Sequence, residues 1–191
     1  MESFFVSTGV VALAEIGDKT QLLAFILAAR FKRPLPIIAG ILAATLINHG
    51  LAGALGAWLM SVISSEVMRW ALGLSFIGMA IWTLIPDKIE EEETQVAKHL
   101  GIFGATFITF FLAEMGDKTQ IATIALAAHY GAPLLVIAGT TLGMLIADVP
   151  AVFVGNKFAA KIPMKLVHAT AAGIFAVMGV LTLLQVDTLF K

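Results

Sequence analysis

The chain has no cysteine among its 191 residues. Disulfides, thiolate metal sites and cysteine nucleophiles are therefore excluded. Charge is also scarce: 13% of residues are Asp, Glu, Lys or Arg, against about 25% in a typical soluble domain. Net charge is −1, so the basic footprint of a nucleic-acid-binding protein is missing and no nucleic-acid partner is expected. The start, Met1-Glu2-Ser3, has no basic n-region, and the apolar stretch after it runs into Glu15 and Asp18. It reads as a retained helix rather than a cleaved signal. No HExxH and no Ser/His pairing occurs, so the chain does not read as an enzyme.

What is present is apolar: 59% of residues are hydrophobic and mean hydropathy is +0.95. A chain this short cannot hide so much apolar surface in one core. Six apolar segments lie near 4–31, 35–61, 67–85, 101–129, 133–156 and 166–186. Each approaches or exceeds the roughly 20 residues a spanning helix needs. Because lipid offers no partner to an open backbone, helices are required. The expected fold class is an all-α membrane protein with six transmembrane helices.

An internal repeat organises these segments. Ala14-Glu15-Ile16-Gly17-Asp18-Lys19-Thr20-Gln21 recurs as Ala113-Glu114-Met115-Gly116-Asp117-Lys118-Thr119-Gln120, 99 residues later. Pro34 matches Pro133, and Ile38-Ala39-Gly40 matches Ile137-Ala138-Gly139, after which the register reads as drifting by about a residue. The expected division is a first three-helix repeat over 1–86, an acidic cytoplasmic linker over 87–100 and a second repeat over 101–191. An odd number of helices per half makes the halves inverted copies, as in many secondary transporters.

With the N-terminus outside, the inner loops hold Arg30, Lys32, Arg33, Lys88, Lys98, Lys157, Lys161 and Lys165, while the outer ones hold Arg69 and Lys191. This bias places both termini outside the cytoplasm. Trp58, Trp70 and Trp82 fit an interfacial belt. The run Glu90–Glu93 reads as a solvated connector.

Glu15, Asp18, Glu114, Asp117 and Asp148 lie within apolar segments. A charged residue at mid-helix costs roughly 2.5–3.5 kcal/mol on insertion scales, which makes such residues functional candidates. Glu15 and Asp18, like Glu114 and Asp117, are spaced i,i+3 and would share one helix face. Pseudo-symmetry would join the two pairs as a four-carboxylate cage. Thr20, Gln21, Thr119 and Gln120 can add neutral oxygens, and Gly17 and Gly116 let the backbone leave the helix, as in the broken helices of transporters. An all-oxygen site prefers a hard divalent cation, leaving Mn²⁺ and Ca²⁺ open.

Four carboxylates and two lysines leave two negative charges, which one divalent ion or two protons would neutralise. Competition between them is the basis of exchange, with the halves rocking around the cage. Lys19, Lys118, Asp148 and Asn48 are candidate proton-relay or ion-pair partners. His49 reads as a hydrogen-bonded packing residue. Gly40, Gly139, Gly143 and the ridge Gly50, Gly53 and Gly56 read as close helix contacts. The alternative reading of the same acids is an exporter of a basic amino acid or another organic cation.

The duplicated Glu-x-Gly-Asp-Lys-Thr resembles the signature of the Golgi-type calcium/manganese–proton exchanger family. Both copies are intact, and the resemblance covers length, helix number and both halves. It implies export of Mn²⁺, or of Ca²⁺, with the motif acids as ligands and no resident cofactor. The short form is similar to bacterial members, which implies the cell inner membrane.

Overall fold

A computed structural model describes residues 1–85, 100–154 and 164–184. Lys88, Lys98, Lys157, Lys161, Lys191 and the run Glu90–Glu93 lie outside these residues. Among the described residues the chain is all helical: α1 Glu2–Glu15, α2 Lys19–Phe31, α3 Pro34–Val62, α4 Ser65–Thr83, α5 Ile102–Glu114, α6 Lys118–Tyr130, α7 Pro133–Val154 and α8 Met164–Leu183.

The apolar segments 4–31 and 101–129 are not single helices. Each is broken at its motif, giving half-helices of 14 and 13 residues in the first repeat and 13 and 13 in the second. At 1.5 Å per residue each is about 20 Å long, short of the roughly 30 Å hydrocarbon core. The halves nevertheless continue in one direction. A Cβ on Gly139 would meet the Phe4 carbonyl and one on Gly143 the Thr8 carbonyl, and Gln21 Nε2 donates to the Ala147 carbonyl. Thus α1 and then α2 run along α7 in order, and the break falls within one segment.

The two repeats are intertwined. Helix α1 packs chiefly on α7, and α5 packs on α3. A Cβ on Gly139 would lie 2.5 Å from the Phe4 carbonyl and 3.1 Å from Ser7 Cβ, while one on Gly40 would lie 2.9 Å from the Phe103 carbonyl and 2.7 Å from Thr106 Cβ. Every partner in one contact is 99 residues from its counterpart in the other. The register does not drift: it persists to Phe76 and Phe175, which stack on each other with centroids 6.4 Å apart. Gly53 and Gly56 also sit in close contacts, on Ile137 of α7 and on the α6 backbone, whereas Gly50 meets nothing within 4 Å.

Local signals explain the turns. Helices α2 and α6 end on left-handed residues, Lys32 (φ 53°) and Gly131 (φ 60°), whose N–H groups return to Ala28 and Ala127. Such a C-terminal position favours glycine. Pro34 and Pro133 then open α3 and α7, as proline at a helix start should.

Polarity is distributed inside out. Leu35, Leu51, Trp58, Ile81, Leu134 and Val177 point outward, while Glu15, Asp18, His49, Glu114, Lys118 and Asp148 are buried. Among the described residues two helices, Pro34–Val62 and Pro133–Phe153, are long and apolar enough to cross a bilayer. Acids and bases turned to the interior of an apolar bundle are the pattern of a membrane protein with an internal polar path.

Two substitutions test this packing by thermal unfolding in detergent. Gly139→Ala should destabilise the protein by about 1–3 kcal/mol through overpacking, whereas Gly50→Ala should not lower the midpoint. Lys32→Gly should raise the midpoint, because the left-handed conformation costs a non-glycine residue about 1–2 kcal/mol.

Candidate metal centre

The motif is built as a helix break, not a helix face. Glu15 is the last residue of α1, Gly17 turns the chain at φ 86°, and Asp18 is the extended N-cap residue of α2. Glu114, Gly116 (φ 76°) and Asp117 repeat the arrangement between α5 and α6. A positive φ is costly for any residue with a Cβ, which accounts for glycine at both positions. The i,i+3 spacing on one helix face is therefore replaced by a turn that brings each Asp N–H back to the Glu carbonyl, at 3.0 Å in the first copy and 3.1 Å in the second.

Each break is held by its own polar side chains. Thr20 Oγ1 donates to Glu15 Oε2 (2.6 Å), and Thr119 Oγ1 to Glu114 Oε2 (2.9 Å). Gln21 Oε1 accepts the Gly17 N–H (2.9 Å), and Gln120 Oε1 the Gly116 N–H (2.8 Å). The far ends of the glutamines reach the other repeat's long helix. Gln21 Nε2 donates to the Ala147 carbonyl (2.8 Å) and Gln120 Nε2 to Asn48 Oδ1 (3.4 Å). Asn48 Nδ2 in turn donates to the Phe111 carbonyl. Both glutamines thus brace the breaks, with their oxygens turned to backbone N–H groups.

The lysines pair across the repeats. Lys118 Nζ lies 2.9 Å from Asp18 Oδ1, and Lys19 Nζ lies 3.3 Å from Asp117 Oδ1. Lys118 is 1% exposed and Lys19 is 18% exposed, so the two copies differ in solvent access. Placing each Asp at a helix N-terminus adds the favourable end of the helix dipole to its lysine.

The acids converge. Carboxylate oxygens of Glu15, Glu114 and Asp117 lie within 4.8 Å of one another. Two oxygens bound to one Ca²⁺ at 2.3–2.6 Å are at most about 5 Å apart, so the cluster has the dimensions of a cation site. Glu15 Oε1 and Glu114 Oε1 are buried with no hydrogen-bond partner. Buried carboxylate oxygens of this kind require a partner, and a cation would supply one. Among side chains, Cys is absent and the near ligands are oxygens, which fits a hard ion.

The remaining candidates lie close by. Asp148, on α7 beside Ala147, is fully buried, and neither of its oxygens has a hydrogen-bond partner. Its neighbour Ala147 accepts Gln21 Nε2 at the first break. His49 occupies the equivalent position on α3; it too is fully buried, and neither ring nitrogen is hydrogen-bonded. The expectation of a hydrogen-bonded packing histidine is therefore not met. His168 was not singled out in the sequence, yet its Nε2 lies 3.2 Å from the Ile16 carbonyl in the first break. Its distance of 152 residues from that carbonyl hides it from any motif search.

An all-helical bundle that buries paired acids and lysines at facing helix breaks belongs to the class of secondary ion transporters. The sequence comparisons name the family. The chain matches the family described as "Divalent cation/proton antiporter GDT1" over residues 3–91 and 102–188, and it belongs to that family. It is 50% identical over 183 residues to the "Putative manganese exporter" of Vibrio cholerae, covering 95% of this chain and 90% of the relative. It is 28% identical over 221 residues to "GDT1-like protein 5" of Arabidopsis thaliana, covering 96% of each. It is 31% identical to "GDT1-like protein 3" of Oryza sativa subsp. indica, covering 91% of this chain and 70% of that one. No solved structure matches the chain. The family is one of transporters, integral to membranes, and its cargo is a divalent cation and protons.

The ion pairs can be tested by stability. Lys118→Met should cost about 3–5 kcal/mol, because it strands a buried carboxylate, and Lys19→Met should cost less. The double variant Asp18→Asn, Lys118→Met should recover much of the loss. A denaturant series on all four proteins measures this; equal costs for the two lysines would contradict the unequal burial.

Proposed function

We propose that this chain exports Mn²⁺ from the cytoplasm in exchange for protons, with Ca²⁺ as a second ion, through one site formed by both motif copies. The observation that carries the reading is the convergence of Glu15, Glu114 and Asp117 within 4.8 Å. Asp18 and the hydroxyls of Thr20 and Thr119 complete the proposed ligand set, and Gln21 and Gln120 shape it. The name of the Vibrio relative supports Mn²⁺ as the first ion to test. A cluster on this scale suits a bare ion better than an organic cation.

Charge supports exchange. Within the two motifs, each lysine neutralises one aspartate of the opposite repeat, leaving Glu15 and Glu114 to be balanced. One divalent ion would do so, and so would two protons. The two cargoes would then exclude each other at one place, at two protons per cation.

The proposed topology has six spans: α1 with α2, α3, α4, α5 with α6, α7 and α8. Three spans per half make residues 1–86 and 101–191 inverted repeats joined by 87–100. The distribution of basic residues orients the N-terminus outside the cytoplasm, in the inner membrane of a bacterial cell.

Purified protein in liposomes, given Mn²⁺ and Ca²⁺ in parallel with a trapped pH dye, tests this. Mn²⁺ should move with protons countermoving, and Glu15→Gln and Asp117→Asn should reduce the flux to background. If neither ion moves, or the variants transport at the parental rate, the cluster is structural and the proposal fails.

A further inference from the structure

The two motif copies carry the same charged residues, yet one aspartate is claimed twice. Asp117 is paired with Lys19, and its carboxylate also closes the cluster with Glu15 and Glu114. Its repeat mate, Asp18, is paired with Lys118 and is not part of that cluster. A cation held by the three clustered carboxylates would sit about 2.3–2.6 Å from an oxygen of Asp117. The Lys19 ammonium lies 3.3 Å from the same carboxylate. The two positive charges would then stand within about 8 Å of each other. In a buried setting little water screens them, so they repel strongly. The cation and Lys19 therefore compete for Asp117.

The lysines differ in their freedom to give way. Lys19 is 18% exposed, whereas Lys118 is 1% exposed and lies 2.9 Å from Asp18, itself 1% exposed. A lysine head can turn to water while its stem stays packed, and Lys19 is already partly exposed. Lys118 is enclosed, and parting it from Asp18 would strand two buried charges.

The surroundings of the two breaks match this difference. Lys19 reaches into the second break, where Met115 is 56% exposed and a Cβ added at Gly116 would meet nothing within 4 Å. Lys118 reaches into the first break, where His168 Nε2 lies 3.2 Å from the Ile16 carbonyl and Ile16 is half-buried. His168 belongs to α8, which rests on α1; among the described residues α4 makes no contact of comparable extent with α5. Identical motifs thus meet unequal packing.

We propose that Lys19 is a tethered competitor of the transported cation. It holds Asp117 while no cation is bound and withdraws toward solvent when the cation arrives, whereas Lys118 stays on Asp18 throughout. The inference rests on the cation reading above and gives the two copies separate tasks. The pair Lys118–Asp18 joins the repeats permanently. The pair Lys19–Asp117 opens, and its return helps to expel the ion. Lys19 thereby lowers affinity in favour of release.

Binding can be read without flux, from the electron paramagnetic resonance signal of unbound Mn²⁺ over protein in detergent. Lys19→Met should bind Mn²⁺ about tenfold tighter than the parent chain, because the repulsion is removed, yet export it more slowly from liposomes. A lysine with a merely structural role would weaken binding when removed. Lys118→Met should bind no tighter than the parent. A second measurement needs no variant to fold: a small amine-reactive reagent on the parent chain, scored by mass spectrometry. Saturating Mn²⁺ should speed modification of Lys19 about threefold, because its freed head turns to water. Lys118 should stay unmodified in both conditions, and modification of the exposed Lys32 should not change. The proposal is overturned if Mn²⁺ slows the modification of Lys19 or leaves it unchanged. It is equally overturned if folded Lys19→Met binds no tighter, or if Lys118→Met tightens binding as much. A parent chain that binds neither Mn²⁺ nor Ca²⁺ would overturn the cation reading itself, and this inference with it.

Discussion

Two ion pairs inside an apolar bundle set the terms for the rest of this structure. Lys118 with Asp18, and Lys19 with Asp117, each join one repeat to the other. Burying a lone charge in such a setting is prohibitive, whereas a paired and hydrogen-bonded charge is tolerated. Neither repeat carries its own neutralisation in place. The pairs therefore require both motifs to meet, and that meeting fixes the breaks, the intertwined helices and the position of the glutamates between them.

The break itself places helix ends beside the carboxylates. The C-terminal ends of α1 and α5 present the glutamates and favour a cation, while the N-terminal ends of α2 and α6 favour the aspartates. The glycine turn lets these opposed ends lie within one span, and the glutamines tie the open backbone N–H groups to side chains. A continuous helix would have satisfied its own backbone and left no such ends. One oxygen of each glutamate, Oε1, is buried with no hydrogen-bond partner among the described residues.

Symmetry holds at the two helix breaks and fails at α4 and α8. The core contacts repeat at an offset of 99 residues, but α4 and α8 lean to one side, and the two lysines and the residues Ile16 and Met115 differ in exposure accordingly. Asp148 and His49 add a chemical asymmetry, since equivalent positions on α7 and α3 carry an acid and a base, both buried.

The sequence alone determined the helical class and marked the candidate residues. A duplicated eight-residue polar insert in apolar segments is legible because each charge in such a setting must be justified energetically, and the glycine in each copy is legible because it alone tolerates the turn. The amino acids also marked the helix ends, through Pro34, Pro133 and Gly131. Tertiary structure alone decided that lysine pairs with aspartate of the other repeat, that the glutamines brace the breaks, and that His168 reaches Ile16. These contacts join residues tens to more than a hundred positions apart, and local spacing carries no information about which distant side chain will arrive. It also decided that the halves interlock, because packing between helices depends on which small residues come face to face, and a one-dimensional pattern of glycines does not name their partners.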